Sequence, residues 1–200
     1  MKKVMMLICL ALFFSPIVWA QDKVESPVLN IGDTWSYMGA DGSKWTQKVI
    51  DIEDDIYVIQ HGNETRGYNK STMNFDFFIE DGRRVKFTGP RSKVLDFPLF
   101  IGKKWYKLIT QLSRLGRMED YREEYFVQSY EEVSVEAGTF TAFKINYKSI
   151  RTKNIRESSK GDYWYSPEVK AIVKRVEEKS VATHDMELIS FKLIRSSELF

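Results

Sequence analysis

Apolar and polar residues alternate along most of the chain, which is the pattern of β-strands with one buried face. The clearest example is the run FKINYK at 143–148, where the two kinds of residue alternate without a break. The segment 187–194 follows the same scheme, and its expected apolar face consists of Ile189, Phe191 and Leu193. A one-residue slip would turn such a face to water, so the pattern also specifies the strand register.

Turn signals separate these runs, namely Asp-Gly pairs at 41–42 and 81–82 and a Gly-Asn pair at 62–63. Gly, Asn and Asp tolerate positive φ at little cost. We therefore predict strands over residues 33–39, 44–53, 56–61, 65–70, 74–80, 83–88, 104–112, 120–135, 140–150, 161–166, 170–179 and 185–195. Parallel strands need long crossovers, so the short connections favour hairpins. The predicted fold class is all-β with little helix. It is a single, strongly curved antiparallel meander sheet, either a half-open barrel or a closed β-sandwich or barrel.

One stretch, 105–118, fits two patterns. Leu108, Leu112 and Leu115 have helical spacing, whereas the run WYKLIT at 105–110 fits a strand equally well. Gly116 would weaken a helix by about 1 kcal/mol relative to alanine. A strand followed by a turn is therefore the expected structure here.

The first twenty residues have the layout of a secretory signal peptide. Lys2 and Lys3 precede a short apolar run, a Ser-Pro pair at 15–16 interrupts it, and Ala20 precedes Gln21. The run is shorter than the roughly 20 apolar residues that a membrane-spanning helix needs. We expect residues 1–20 to be removed, residues 21–30 to be a polar lead-in, and residues 31–200 to form one β-domain without a transmembrane segment. The predicted location is the periplasm or the extracellular space.

Removal of this leader changes the charge and the cysteine content. The full chain has 30 Lys+Arg against 28 Asp+Glu, and the leader contains two of the lysines, so the mature chain is formally neutral. A neutral chain gives no electrostatic reason to expect a nucleic-acid partner. The single cysteine, Cys9, also lies in the leader, so the mature chain has no disulfide and no thiolate metal site.

Catalytic and metal-binding patterns are weak throughout the chain. The two histidines, His61 and His184, have no ligand-like neighbours. Adjacent acidic residues on a strand point to opposite faces and cannot form a facing acid/base pair. We therefore expect no catalytic residue, no metal and no cofactor, and a protein that is not an enzyme.

Three stretches together resemble a known class of protein. They are the run LDFPLFIGKKW at 95–105, the run VSVEAGTFTAFKI at 133–145 and the run YWYSPEVK at 163–170, and the IGDTW motif at 31–35 fits the same scheme. The chain resembles exported bacterial proteins of unknown function that share these motifs, apart from Glu136, where relatives commonly have proline. The resemblance implies a curved antiparallel sheet, similar in architecture to the half-barrel of periplasmic lipoprotein carriers.

A curved sheet has a concave side that is either plugged or open to a ligand. The predicted function is therefore binding of a hydrophobic or lipid-like ligand, or of an envelope partner, in a cleft of the sheet. The candidate ligand-binding residues are Phe97, Leu99, Trp105, Phe143, Ile145 and Trp164. The alternative is a structural or protein-interaction module of the cell envelope with a solid core and no small-molecule ligand, in which these same residues form that core.

Overall fold

The computed structural model describes residues 23–86, 94–112, 118–153, 156–178 and 185–195, and within them the backbone forms strands and turns without a helix. The predicted leader 1–20 and His184 lie outside these ranges. The twelve strands are β1 (Thr34–Gly39), β2 (Lys44–Glu53), β3 (Ile56–His61), β4 (Glu64–Asn69), β5 (Phe75–Glu80), β6 (Arg83–Lys86), β7 (Lys104–Leu112), β8 (Met118–Val135), β9 (Gly138–Arg151), β10 (Arg156–Ser166), β11 (Ala171–Glu178) and β12 (Met186–Lys192).

All twelve strands belong to one antiparallel sheet in the order β6-β5-β4-β3-β2-β1-β12-β11-β10-β9-β8-β7. Two meanders therefore meet where β1 pairs with β12. In the described part of the chain β6 and β7 are the edges, and no hydrogen bonds between them close the sheet. The predicted all-β meander is confirmed, and of its two forms the sheet is the open one.

The hairpin turns use the predicted chemistry. Asp81 and Gly82 have φ values of 48° and 72°, which is the two-residue type I′ geometry that matches strand twist. At the first hairpin, Asp41 Oδ1 accepts hydrogen bonds from the Ser43 backbone N (3.0 Å) and Oγ (2.6 Å). The β8–β9 turn places Gly138 at φ 140°, within the 133–145 run that carries part of the sequence resemblance.

The register shifts in six of the eleven strand pairings, and such bulges add twist and bend a sheet. One of them makes a sequence prediction wrong. Ile189 is the extra residue opposite Ser36 and Tyr37, so strict alternation fails in β12. Leu188 takes the fully buried position, while Phe191 is 38% exposed.

The ambiguous stretch 105–118 is resolved within the described residues. Lys104–Leu112 forms strand β7 and β8 begins at Met118, so the strand prediction is confirmed and residues 113–117 lie outside the described part. The start of β10 was predicted too late. It begins at Arg156, because its first residues pair with the polar end of β9 and carry no apolar alternation of their own.

Two clusters of buried side chains form the core. The first cluster joins β1–β3 to the end of the β8–β9 hairpin and to β11–β12, and includes Trp35, Val49, Phe140 and Leu188. The second cluster joins β7–β10 to the segment 94–100 and includes Leu99, Tyr125, Phe143 and Tyr165.

The segment 24–30, within the predicted lead-in, packs against the sheet. Val24 forms a backbone bridge with Leu99, and Leu29 is 3% exposed in the first cluster. The Tyr57 hydroxyl accepts a hydrogen bond from the Leu29 backbone N and donates one to the Pro27 carbonyl, both at 3.2 Å. This segment therefore contacts both Leu99 and the first cluster.

Asp33 of the IGDTW motif is completely buried. Its carboxylate accepts hydrogen bonds from the backbone N of Asn30 (2.9 Å) and of Ile194 (2.7 Å). The residue therefore ties the start of β1 to the chain that leaves β12, at the place where the two meanders join.

Candidate functional site

A cavity of about 850 Å³ lies on the concave side of the sheet, between strands that are far apart in the strand order. Its walls include Phe78 of β5 and Tyr165 of β10, strands that are seven positions apart in the sheet. At about 4.8 Å per strand, that separation is roughly 34 Å along the sheet. Both side chains can line one cavity only because the sheet curls around it.

Most of the cavity wall is apolar and aromatic. Strands β1–β5 contribute Trp35, Tyr37, Ile59, Tyr68, Phe75 and Phe78, and strands β10–β12 contribute Tyr165, Ile172 and Met186. Leu29 and the pair Val94 and Leu95 complete the wall from outside the sheet. A volume of several hundred Å³ with a largely apolar lining is typical of small-molecule sites.

The tyrosines of this wall behave as apolar groups with a hydroxyl at one end. Burial raises the pKa of Tyr37, Tyr68 and Tyr165 above the ordinary value of 10.0. Their hydroxyls therefore remain neutral at physiological pH and carry no charge into the cavity.

Three cations among the described residues also line the cavity, and each of them contacts an acceptor of the protein. Arg66 donates two hydrogen bonds to Glu64, from Nε at 3.0 Å and from Nη2 at 2.6 Å. Lys170 Nζ donates to the Val28 carbonyl at 2.6 Å. The third cation is Arg175, whose Nη2 is paired with Glu177 but whose buried Nε has no hydrogen-bond partner.

The structure brings five of the six sequence-predicted residues together, but in the second core cluster. Leu99, Phe143 and Ile145 are fully buried there. Trp105 stacks on Tyr125 with ring centroids 5.2 Å apart. In the same cluster, Phe97 meets the Tyr165 ring edge-on at 5.4 Å.

Trp164, the sixth predicted residue, lies on the opposite face of β10 from its neighbours Tyr163 and Tyr165. Its Nε1 donates to Glu131 Oε1 at 3.0 Å, and Lys144 and Lys174 lie 5.3 and 5.9 Å from its ring. None of the six predicted residues is among those that line the 850 Å³ cavity.

Sequence reasoning missed the residues that do line the cavity. Their signal is present, because Ile59, Tyr68 and Phe78 occupy apolar positions of predicted strands. What the sequence lacks is the pairing of distant strands around one space. Arg175 carried no signal at all, since it lies in the mixed run VKRVEE at 173–178.

A second depression, of about 740 Å³, is lined by β7–β11 and includes Tyr106, Phe126 and Gly161. Its charged groups form pairs with each other, such as Lys148 Nζ with Glu124 Oε2 at 2.8 Å and Lys160 Nζ with Glu178 Oε2 at 2.9 Å. This arrangement is typical of a solvated strand face.

The described residues lack both a metal-binding cluster and a membrane-spanning helix. They contain no cluster of three or more His, Cys, Asp or Glu side chains that could hold a metal ion. A helix long and apolar enough to cross a membrane is also absent from them.

The fold and the cavity define a class: an open, curved, antiparallel twelve-strand sheet with an amphipathic space on its concave side. Solved structures with a similar strand arrangement include the hypothetical lipoprotein YmcC of Escherichia coli (8% identity, TM-score 0.48, covering 83% of this chain and 89% of that one). A predicted exported protein of Bacteroides fragilis with a YmcC-like fold has 14% identity and a TM-score of 0.47, over 84% of this chain and 99% of its own. A predicted lipoprotein of Parabacteroides distasonis has 15% identity and a TM-score of 0.45, over 86% and 100%.

All three are similar to this chain at low sequence identity and at a TM-score below 0.5. No protein-family model and no curated protein matches the chain.

Proposed function

We propose that this chain is an exported, non-enzymatic β protein that binds a hydrophobic, lipid-like ligand in the 850 Å³ cavity. The observation that carries the proposal is the cavity itself, whose wall is built from aromatic and aliphatic side chains of both meanders. Burial of an apolar chain there would contribute roughly 25 cal/mol per Å² removed from water. Export is proposed from the leader pattern at 1–20.

The carboxylates near the cavity support a binding role over catalysis. General acid–base catalysis works best with a pKa near the operating pH. Hydrogen bonding to Arg66 instead lowers the pKa of Glu64 below its ordinary value, and Glu177 is paired with Arg175. Glu64 is therefore ionised at neutral pH, which suits a fixed charge better than proton transfer.

The first experiment is native mass spectrometry of protein purified from the periplasm without a delipidation step. A bound ligand adds mass, and an apolar fluorescent dye should bind after the ligand is extracted. A clean apo mass together with no dye response contradicts the proposal.

A matched pair of variants locates the binding. Met186 lines the cavity, so Met186→Trp should fill part of it and weaken dye binding at least tenfold. Glu187 is the next residue of β12 and points to the other face, opposite Lys174, so Glu187→Trp should bind the dye as the wild type does. Equal binding by both variants would place the dye elsewhere.

An interaction module of the cell envelope is a second candidate function, favoured by the exposed edge. Tyr106, Leu108 and Met118 are each about 60% exposed and share one face of the β7–β8 pair. Capture of an envelope protein by the wild type but not by a Tyr106→Ser/Leu108→Ser variant would support this candidate. Unchanged capture by the variant would contradict this candidate function.

A further inference from the structure

Resting on the proposed function, we infer that the ligand is a single-chain amphiphile with an acidic headgroup, which the Arg175 guanidinium binds at the β11 wall of the cavity. The shared chemistry is a carboxylate or phosphate joined to an apolar chain. The inference depends on where Arg175 lies and on which of its donors are unused.

Arg175 lies on the concave face of β11, between Tyr163 of β10 and Met186 of β12. Its guanidinium carbon is 5.2 Å from the Tyr163 ring centroid, so an aromatic face holds the planar group in place. Stacking of this kind is a property of arginine more than of lysine. The side chain is 26% exposed and contributes to the cavity wall.

The hydrogen-bonding capacity of Arg175 is only partly used. Glu177 engages Nη2, whereas the Nε–H is buried without an acceptor. An unsatisfied buried donor is costly, and a donor of a charged group more so. An anion that approaches the guanidinium from the cavity would add hydrogen bonds to this incompletely satisfied group, because the arginine fork matches carboxylate and phosphate oxygens.

The other cavity cations do not compete for this role. Glu64 already occupies both Nε and Nη2 of Arg66. Lys170 is directed to the Val28 carbonyl and has Asp33 Oδ2 at 3.9 Å. Among the cavity cations in the described part of the chain, Arg175 is therefore the one with a buried N–H that has no acceptor.

The apolar side chains near Arg175 indicate where the hydrocarbon lies. Ile172 lies three residues from Arg175 on β11 and pairs with Tyr165 of β10. Both residues line the cavity, as does Met186. Across the cavity are Tyr68, Phe75 and Phe78. An acidic head at Arg175 would thus place its chain between two apolar walls.

The experiment compares ligands that share a chain and differ in the head. Displacement of an apolar dye from delipidated protein is measured at neutral pH with oleate, oleyl alcohol, oleoyl lysophosphatidate and oleoyl lysophosphatidylcholine, each below its micelle concentration. Oleate and lysophosphatidate should bind at least about tenfold more tightly than the alcohol and the zwitterionic lipid. The tighter of the two acids identifies the headgroup as carboxylate or phosphate, and either supports the inference.

Variants connect that preference to Arg175. Arg175→Gln/Glu177→Gln removes both charges of the pair, so no buried carboxylate is left alone, and it should abolish the preference for acids over oleyl alcohol. Lys174→Gln is the matched control, because Lys174 lies on the opposite face beside Trp164. It should keep the full preference.

The outcomes separate the two proposals. If oleate and oleyl alcohol bind equally to the wild type, or if the double variant keeps the preference, the inference about Arg175 is overturned and hydrophobic binding stands. If no lipid displaces the dye and no dye binds, the proposed function fails, and the inference fails with it.

Discussion

Replacement of Asp33 should cost much of the stability of the protein, because this carboxylate is buried and serves two separate segments. In Asp33→Ala the backbone N–H groups of Asn30 and Ile194 both lose their acceptor. Hydrogen bonds to a charged group contribute about 1.5–3 kcal/mol each, so two of them give a loss of about 3–6 kcal/mol. A loss of this size is a large part of the 5–15 kcal/mol that typically stabilises a domain.

The assay is urea unfolding followed by tryptophan fluorescence, with the slope m used to check that the transition stays two-state. Asp41→Ala is the control, since Asp41 also accepts two hydrogen bonds, both from Ser43, but is exposed. Water can replace Asp41, so its variant should unfold at nearly the wild-type urea concentration. The reasoning is refuted if the two variants lose the same free energy of unfolding.

Three further predictions follow from single sites. Gly67→Ala should lower the free energy of unfolding by about 1–3 kcal/mol, because a Cβ there would lie 2.3 Å from Phe77 Cε1. Adding Phe77→Leu to this variant should recover part of the loss, as measured by urea unfolding. Glu123→Gln should lower the free energy of unfolding by about 3–5 kcal/mol. The Lys107 Nζ is 2.6 Å from the Glu123 carboxylate, and the substitution leaves this buried charge without its partner. A Lys107→Met/Glu123→Leu variant that is no more stable than Glu123→Gln would contradict this reasoning. Burial lowers the pKa of His61, so the wild type should lose stability as the pH falls from 6.5 through that lowered pKa, whereas the urea midpoint of His61→Gln should stay flat over the same range.

The strands could be predicted well from the sequence because alternation and turn chemistry are local signals. The Asp-Gly turn at 81–82 has the φ values that its residues favour. Phe143 and Ile145, predicted to face inward, are fully buried. The errors lie where pairing with a neighbouring strand determines the structure. Ile189 is displaced by a bulge that only the pairing with β1 creates, and the early start of β10 follows from the end of β9.

Motifs could be found from the sequence, but their physical roles could not. Residues 31–35 stood out as part of a resemblance, yet nothing in them indicates that Asp33 binds the backbone of Ile194, 161 residues away. A buried carboxylate and an exposed one look the same in a sequence. The difference depends on the β1–β12 pairing, which joins the two meanders.

The candidate site shows the same limit in a sharper form. A period of two indicates which residues face the concave side, but not whether the space in front of them is filled. Phe97 and Leu99 fill it over β7–β10, where Leu99 is fully buried against Val24 and the second cluster. Val94 and Leu95 of the same segment pack against that cluster and also line the 850 Å³ cavity. Five of the six inward residues predicted to bind a ligand thus pack with each other in the second cluster, and the 850 Å³ cavity is lined by other residues.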